Sequence, residues 1–260
     1  MSEKVALVTG ATSGLGREFA RQLAMRKYDL VITGRRRNEI QRVAAEIRAR
    51  SKVAVKVIIA ELSRANDVAK VVTAIRKTDN LAFVVNNAGY GIWNTFHRDG
   101  LDNELRQLEV HVVTPLRIIH AALPSMTRRG EGSIVNVCSL AAFAPLPGSG
   151  LYSCTKSFLH VFTETLHMEV AGRNIRVQSL CPGFTHTDFQ ARLGVKERLK
   201  SMGLVRWMEP DEVVRISLQR LGKSVRCVPG LWNKILLAVM SRVPRALYFR
   251  LAGRILQTMT

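Results

Sequence analysis

The stretch "KVALVTGATSGLGREFARQL", residues 4–23, decides the fold. It opens as a short apolar run ending at Gly10 and closes on apolar residues at helical spacing, continued through "AMRKY". That is strand, tight turn, helix. Gly10, Gly14 and Gly16 stand in the turn at GxxxGxG spacing, where residues lacking a Cβ allow close backbone approach. A turn of this kind at a helix N-terminus offers backbone N–H groups to an anion such as a pyrophosphate. A Gly-rich turn also serves as a plain connector, so the rest of the chain has to decide between the two.

Working outward, "DLVITGRRR" reads as a second strand and "NEIQRVAAEIRAR" as a helix with Asn38 placed to cap it. "VAVKVIIAELS" is a third strand, followed by a helix in "NDVAKVVTAIRK". "LAFVVNNAG" is a fourth strand, "DNELRQLEVHVVTPLRIIHAALPSM" a long helical stretch and "GSIVNVCSL" a fifth strand. "YSCTKSFLHVFTETLHMEVA" is another long helix, and "IRVQSLCPG" a sixth strand. Strands alternating with helices of this length imply right-handed crossovers and a parallel sheet covered on both faces. The expected fold is a three-layer, doubly wound Rossmann-like α/β sheet. We expect one such domain over residues 1–229, including a substrate lid at about 189–208, and a basic amphipathic helical extension over 230–260.

Composition bounds the class. With 47% hydrophobic residues in 260, the chain can bury a large core, which excludes disordered and collagen-like classes. Four cysteines without CxxC spacing, and no apolar leader before the first strand, point to a reducing cytoplasmic setting with no metal site. No apolar run reaches the roughly 18 residues of a spanning helix. The net charge of +19 asks for an anionic partner.

Five motifs then agree. "TGATSGLG" at 9–16, "NNAG" at 86–89, Ser139, "YSCTK" at 152–156 and "PGFTHT" at 182–187 resemble, in order and spacing, the short-chain dehydrogenase/reductase family over roughly residues 4–190. The resemblance implies an enzyme that binds a nicotinamide dinucleotide and interconverts a carbonyl and an alcohol by hydride transfer. It implies cofactor contacts from Gly10, Thr12, Ser13, Gly14, Leu15 and Gly16 in the turn. Further contacts are implied from Glu61 and Leu62 after the third strand, from Asn87, Ala88 and Gly89 after the fourth, and from Pro182, Gly183, Thr185 and Thr187 after the sixth. It also implies a homo-oligomer. The competing class is a cofactor-binding regulatory or scaffolding protein of the same fold with little turnover.

The implied catalytic residues, Ser139, Tyr152 and Lys156, make chemical sense. A tyrosine of ordinary pKa near 10 needs positive charge nearby to exchange a proton at neutral pH. Lys156 lies one turn along the same helix face, and the resemblance implies that both residues also meet the cofactor. Ser139, ending the fifth strand, would hydrogen-bond the substrate oxygen as charge develops there. One departure stands out: where the family usually carries an asparagine in the helix after the fourth strand, this chain has His111. Imidazole relays protons, and a helix histidine is also commonly just packed.

At the end of the second strand stands "TGRRRNE", basic and without an acid. Arg35, helped by Arg36, would pair with a 2′-phosphate, and Arg17 would add a contact, so NADP(H) is expected over NAD(H). The apolar residues of the expected lid suggest a lipophilic substrate. In the tail, Lys and Arg interrupt bulky apolar residues, Pro244 divides two helices, and no acid occurs from Val213 onward. A docked or dimerising tail and attachment to an anionic membrane surface both fit; nucleic acid does not, because bulky aliphatics flank the cations.

Overall fold

The computed structural model describes residues 4–92, 94–96, 98, 100–145, 147–189 and 206–257, with backbone alone at 251 and 254–257. The strands are β1 (Val5–Val8), β2 (Asp29–Gly34), β3 (Val55–Ile59), β4 (Leu81–Asn86), β5 (Gly132–Val137), β6 (Ile175–Leu180) and β7 (Arg226–Cys227). They form one sheet in the order β3-β2-β1-β4-β5-β6-β7, every pairing parallel. The chain lays β2 and β3 to one side of β1, then returns to β1 and continues the other way. The six strands read from sequence are present; β7 adds a two-residue edge.

The helices are α1 (Gly14–Met25), α2 (Arg37–Ser51), α3 (Ala65–Arg76), α4 (Leu101–Leu108), α5 (Thr114–Arg129), α6 (Gly150–Glu169), α7 (Pro210–Arg220), α8 (Leu231–Met240) and α9 (Arg245–Gln257). Alternation along β1 builds both layers. Ala6 and Val8 face α1 and α2 across Phe19, Leu23, Ile40 and Ile47, and Leu7 faces α3 and α5 across Val71, Ile75, Ile118 and Met126. Strands buried on both sides are mostly apolar, as a parallel sheet demands, with polar residues such as Asn86, Asn136 and Gln178 buried among them.

Two sequence expectations shift. α2 begins at Arg37 with Arg36 in the extended N-cap position, so Asn38 lies inside the first turn and caps nothing. The long helical stretch is continuous but opens into a π-helical turn over Glu109–Val113, between α4 and α5. Residues 190–205 of the expected lid lie outside the described residues. The tail does form two helices, α8 and α9, with Pro244 before the second.

Candidate active site

All the sequence-predicted motifs that are described converge at the C-terminal end of the sheet, on both sides of the point where strand order reverses between β1 and β4. Gly10 and Gly14 adopt φ of +66° and +54°, the left-handed region that a side chain resists. At Gly16 a Cβ would stand 2.3 Å from both the Gly10 carbonyl O and Asn87 Nδ2, so helix and strand meet there at backbone contact. Asn87 fastens the turn, its Nδ2 donating to the carbonyls of Thr9 (2.9 Å) and Gly10 (3.1 Å). Thr9 Oγ1 in return accepts from the N–H groups of Asn87 and Ala88, each at 3.0 Å.

Ser13 is the N-cap of α1 and makes no side-chain cap bond, which leaves the helix's first N–H donors to face outward with the positive end of the helix dipole. Thr187 closes the opposite wall, near enough that a Cβ on Gly14 would lie 3.0 Å from its Cγ2. A narrow cradle with free donors and no room for side chains fits the pyrophosphate of a dinucleotide. Thr185 serves differently: its hydroxyl donates to the Gly183 carbonyl (3.3 Å), and its backbone bridges to Met208, so it shapes the wall from within.

The basic cluster divides its labour. Arg35 Nη1 pairs with Glu61 Oε2 at 2.9 Å, and Arg17 Nη2 pairs with Glu46 Oε2 at 2.6 Å, away from the turn. It is Arg36 that reaches over the cradle, its Nη2 donating to Thr12 Oγ1 (2.9 Å) and Ser13 Oγ (3.2 Å). Glu61 therefore acts as an anchor for Arg35, and its own N–H donates to Asp67 Oδ2 (2.9 Å). Leu62 is buried, and its carbonyl accepts from Thr114 Oγ1 (2.8 Å).

Ser139, Tyr152 and Lys156 meet beyond β5. Ser139 Oγ accepts from the Ala141 N–H at 3.1 Å and lies near enough to Tyr152 to lower its pKa. Lys156 is 5% exposed, its Nζ donating to the Val137 carbonyl at 2.8 Å and sitting 5.7 Å from the Tyr152 ring centroid. Burial pushes the Tyr152 phenol up to about 12, against the opposing pull of Ser139, and burial lowers the Lys156 pKa. Burial thus outweighs any phenolate-stabilising effect of the lysine: at neutral pH Tyr152 holds its proton and is a donor.

His111 is 1% exposed. Its Nε2 accepts from the Tyr90 N–H (3.1 Å), which fixes the proton on Nδ1 and makes Nδ1 the donor to Thr155 Oγ1 at 3.0 Å. Thr155 passes the chain on, its hydroxyl donating to the Tyr152 carbonyl at 2.8 Å. Burial and the nearby Lys156 charge hold the imidazole well below its usual pKa. Both ring nitrogens are spent on structure, so His111 ties the turn after β4 to the helix that carries Tyr152.

Sequence reading missed Thr9, Thr155 and Phe189. Thr9 and Thr155 act through hydrogen bonds to backbone that no spacing announces. Phe189 lies 5.7 Å from Tyr152, ring centroid to centroid, and belongs to a segment without periodicity.

A family model described as short chain dehydrogenase matches residues 4–198. "Dehydrogenase/reductase SDR family member 4" of Homo sapiens is 34% identical over 233 residues, covering 87% of this chain and 79% of its own. "Very-long-chain 3-oxoacyl-CoA reductase" of Bos taurus is 27% identical over 253 residues, covering 95% and 78%. The solved short-chain dehydrogenase from Sphingobium yanoikuyae in complex with NADPH matches with a TM-score of 0.82 at 29% identity, over 94% of this chain and 97% of that one. With its seven-stranded parallel sheet and that likeness along most of its length, the chain belongs to the short-chain dehydrogenase/reductase family and is an NAD(P)-dependent oxidoreductase.

Proposed function

We propose that this enzyme uses NADP(H) to interconvert a carbonyl and an alcohol on a lipophilic substrate. The observation that carries the reading is the grouping of Ser139 and Tyr152 beside a buried lysine, with burial keeping the Tyr152 proton in place. A bound nicotinamide would supply the hydride in reduction and take it in oxidation. Ser139, steadied by the Ala141 N–H, turns its own O–H toward a substrate oxygen as that oxygen gains negative charge. Tyr152 then gives its proton to the same oxygen, and in the reverse direction takes it back. Lys156, anchored on the Val137 carbonyl, would have its remaining donors for the tyrosine and for the bound cofactor.

NADP(H) preference rests on Arg36, whose guanidinium overhangs the cradle at the end of β2, with Arg35 beside it. A lipophilic substrate suits the aromatic surroundings: Phe189 against Tyr152, and Phe184 at 5.5 Å from Trp207. The bovine relative's name, an acyl-CoA reductase, agrees. A homo-oligomer suits the exposed Phe158, Val161 and Met168 on α6 and Leu101 and Leu105 on α4.

Tyr152→Phe tests the reading. Across a panel of carbonyls and alcohols followed by cofactor absorbance, turnover should fall about 10²- to 10⁴-fold, far more than NADPH affinity falls. Undiminished turnover would refute the proton assignment, and absence of turnover in the unaltered enzyme on every substrate class would favour the regulatory reading.

A further inference from the structure

Beside β7, at the edge of the sheet, a cleft of about 550 Å³ lies between the end of α7, the edge strand and α8. Arg220, Arg226, Lys234 and Arg242 line it, and among the described residues that line it none is acidic. All four are exposed, and among the described residues none has a carboxylate partner. The floor is apolar, made by Phe143, Val228 and Leu237, with the Arg226 guanidinium 5.7 Å from the Phe143 ring centroid.

α8 divides its faces around this cleft. Lys234, Leu237, Ala238 and Ser241 turn inward to line it. Leu231, Ile235 and Val239, at i, i+4 and i+8, are 73%, 45% and 56% exposed, and Trp232 and Leu236 flank them. Cations without a carboxylate partner among the described residues and an exposed apolar stripe thus adjoin at this helix, which is anchored by buried Asn233, whose Nδ2 donates to the Pro229 carbonyl at 2.8 Å.

We infer that this face docks on an anionic phospholipid surface, a lipid phosphate seated among the four cations and the outer stripe of α8 lying at the acyl boundary. Charge decides the occupant. A second copy of this chain, itself carrying +19, would bring cations against cations if it met the same face by two-fold symmetry. A free phosphate would satisfy the cleft and leave the apolar stripe in water. An anionic leaflet answers both, and amphipathic helices with cations beside bulky apolar residues and Trp are built for that boundary. The inference stands apart from the redox reading.

The test is sedimentation of the full-length protein with vesicles of phosphatidylcholine alone and of phosphatidylcholine mixed with phosphatidylglycerol. Binding is expected to the mixed vesicles only and to weaken with salt. Each cation contributes about fivefold in partitioning, so the pair Arg226→Gln with Lys234→Gln should lower it about 25-fold. Arg220→Gln with Arg242→Gln should do the same, and Ile235→Asp should also lower it, with unchanged thermal melting reporting intact folding in each. Equal pelleting with both vesicle types, or pelleting indifferent to both charge pairs, would overturn the inference. So would release by inorganic phosphate beyond that by chloride at equal ionic strength, which marks a soluble-anion site. An Ile235→Asp change that alters subunit mass in light scattering without altering pelleting would assign the stripe to a contact between copies and overturn it too.

Discussion

Arg36 and Arg35 are adjacent, identical and differently employed. Arg35 already has a carboxylate, Glu61, while the Arg36 hydrogen bonds among the described residues go to the neutral hydroxyls of Thr12 and Ser13 at the lip of the cradle. A 2′-phosphate arriving there would gain a charge-assisted partner in Arg36 at little expense, whereas Arg35 would have to share one. Arg36→Ala should therefore weaken NADPH binding by about 1.5–3 kcal/mol and Arg35→Ala by under about 1 kcal/mol, with NADH binding little altered by either. Fluorescence titration of both reduced nucleotides checks this. At this scale the sequence announced the residue types and blurred their assignments: a basic cluster at the end of β2 was plain, but which guanidinium meets which partner depends on Glu61 and Glu46, brought in from β3 and α2. The roles of His111 and Thr155 were hidden for the same reason, since each is defined by a bond between distant segments.

Among elements, the β1–α1 unit is the most legible and the least tolerant. Its glycines were readable from spacing because contact between backbones leaves no room for a Cβ, and that constraint is local. Gly16→Ala would press a methyl group onto the Gly10 carbonyl and Asn87 amide at 2.3 Å, where the neighbours are backbone and a fastened side chain. Overpacking of that kind should cost about 1–3 kcal/mol in chemical denaturation and widen the cradle. Gly253 in α9 has nothing within 4 Å of its added Cβ, so Gly253→Ala should instead strengthen that helix by up to about 1 kcal/mol. What stayed unreadable was of two kinds. β7 is two residues long, too short to show alternation. The π-helical turn at Glu109–Val113 inserts a residue without disturbing the apolar pattern enough to mark it, although it is the turn that carries buried His111.

For the whole molecule, buried histidines set the acid side of stability. His111 is held well below its ordinary pKa by burial and Lys156, and His160 is lowered chiefly by burial. Below about pH 6.5 the unfolded chain binds protons at these sites that the folded chain refuses, so stability is full above that pH and falls as pH drops toward 5. The slope is up to about 1.4 kcal/mol per pH unit for each histidine. Glu39 and Asp67, lowered by Arg42 and Lys70, lose their contributions only at more acid pH. Thermal melts of His111→Asn from pH 7.5 to 5 should show a shallower decline than the unaltered protein; an identical decline would mean that His111 is not neutral in the fold. The overall architecture was legible because it rests on alternation of strand and helix, a pattern that survives errors at every boundary. The strand order carries a consequence for birth of the molecule on the ribosome. β1, β2 and β3 form one wing in the order they are made, then β4 joins the free edge of β1, and β5, β6 and β7 each join the strand synthesised just before. No strand has to wedge between two others, so at each length of nascent chain the newest strand finds an edge already waiting, and assembly can keep pace with translation.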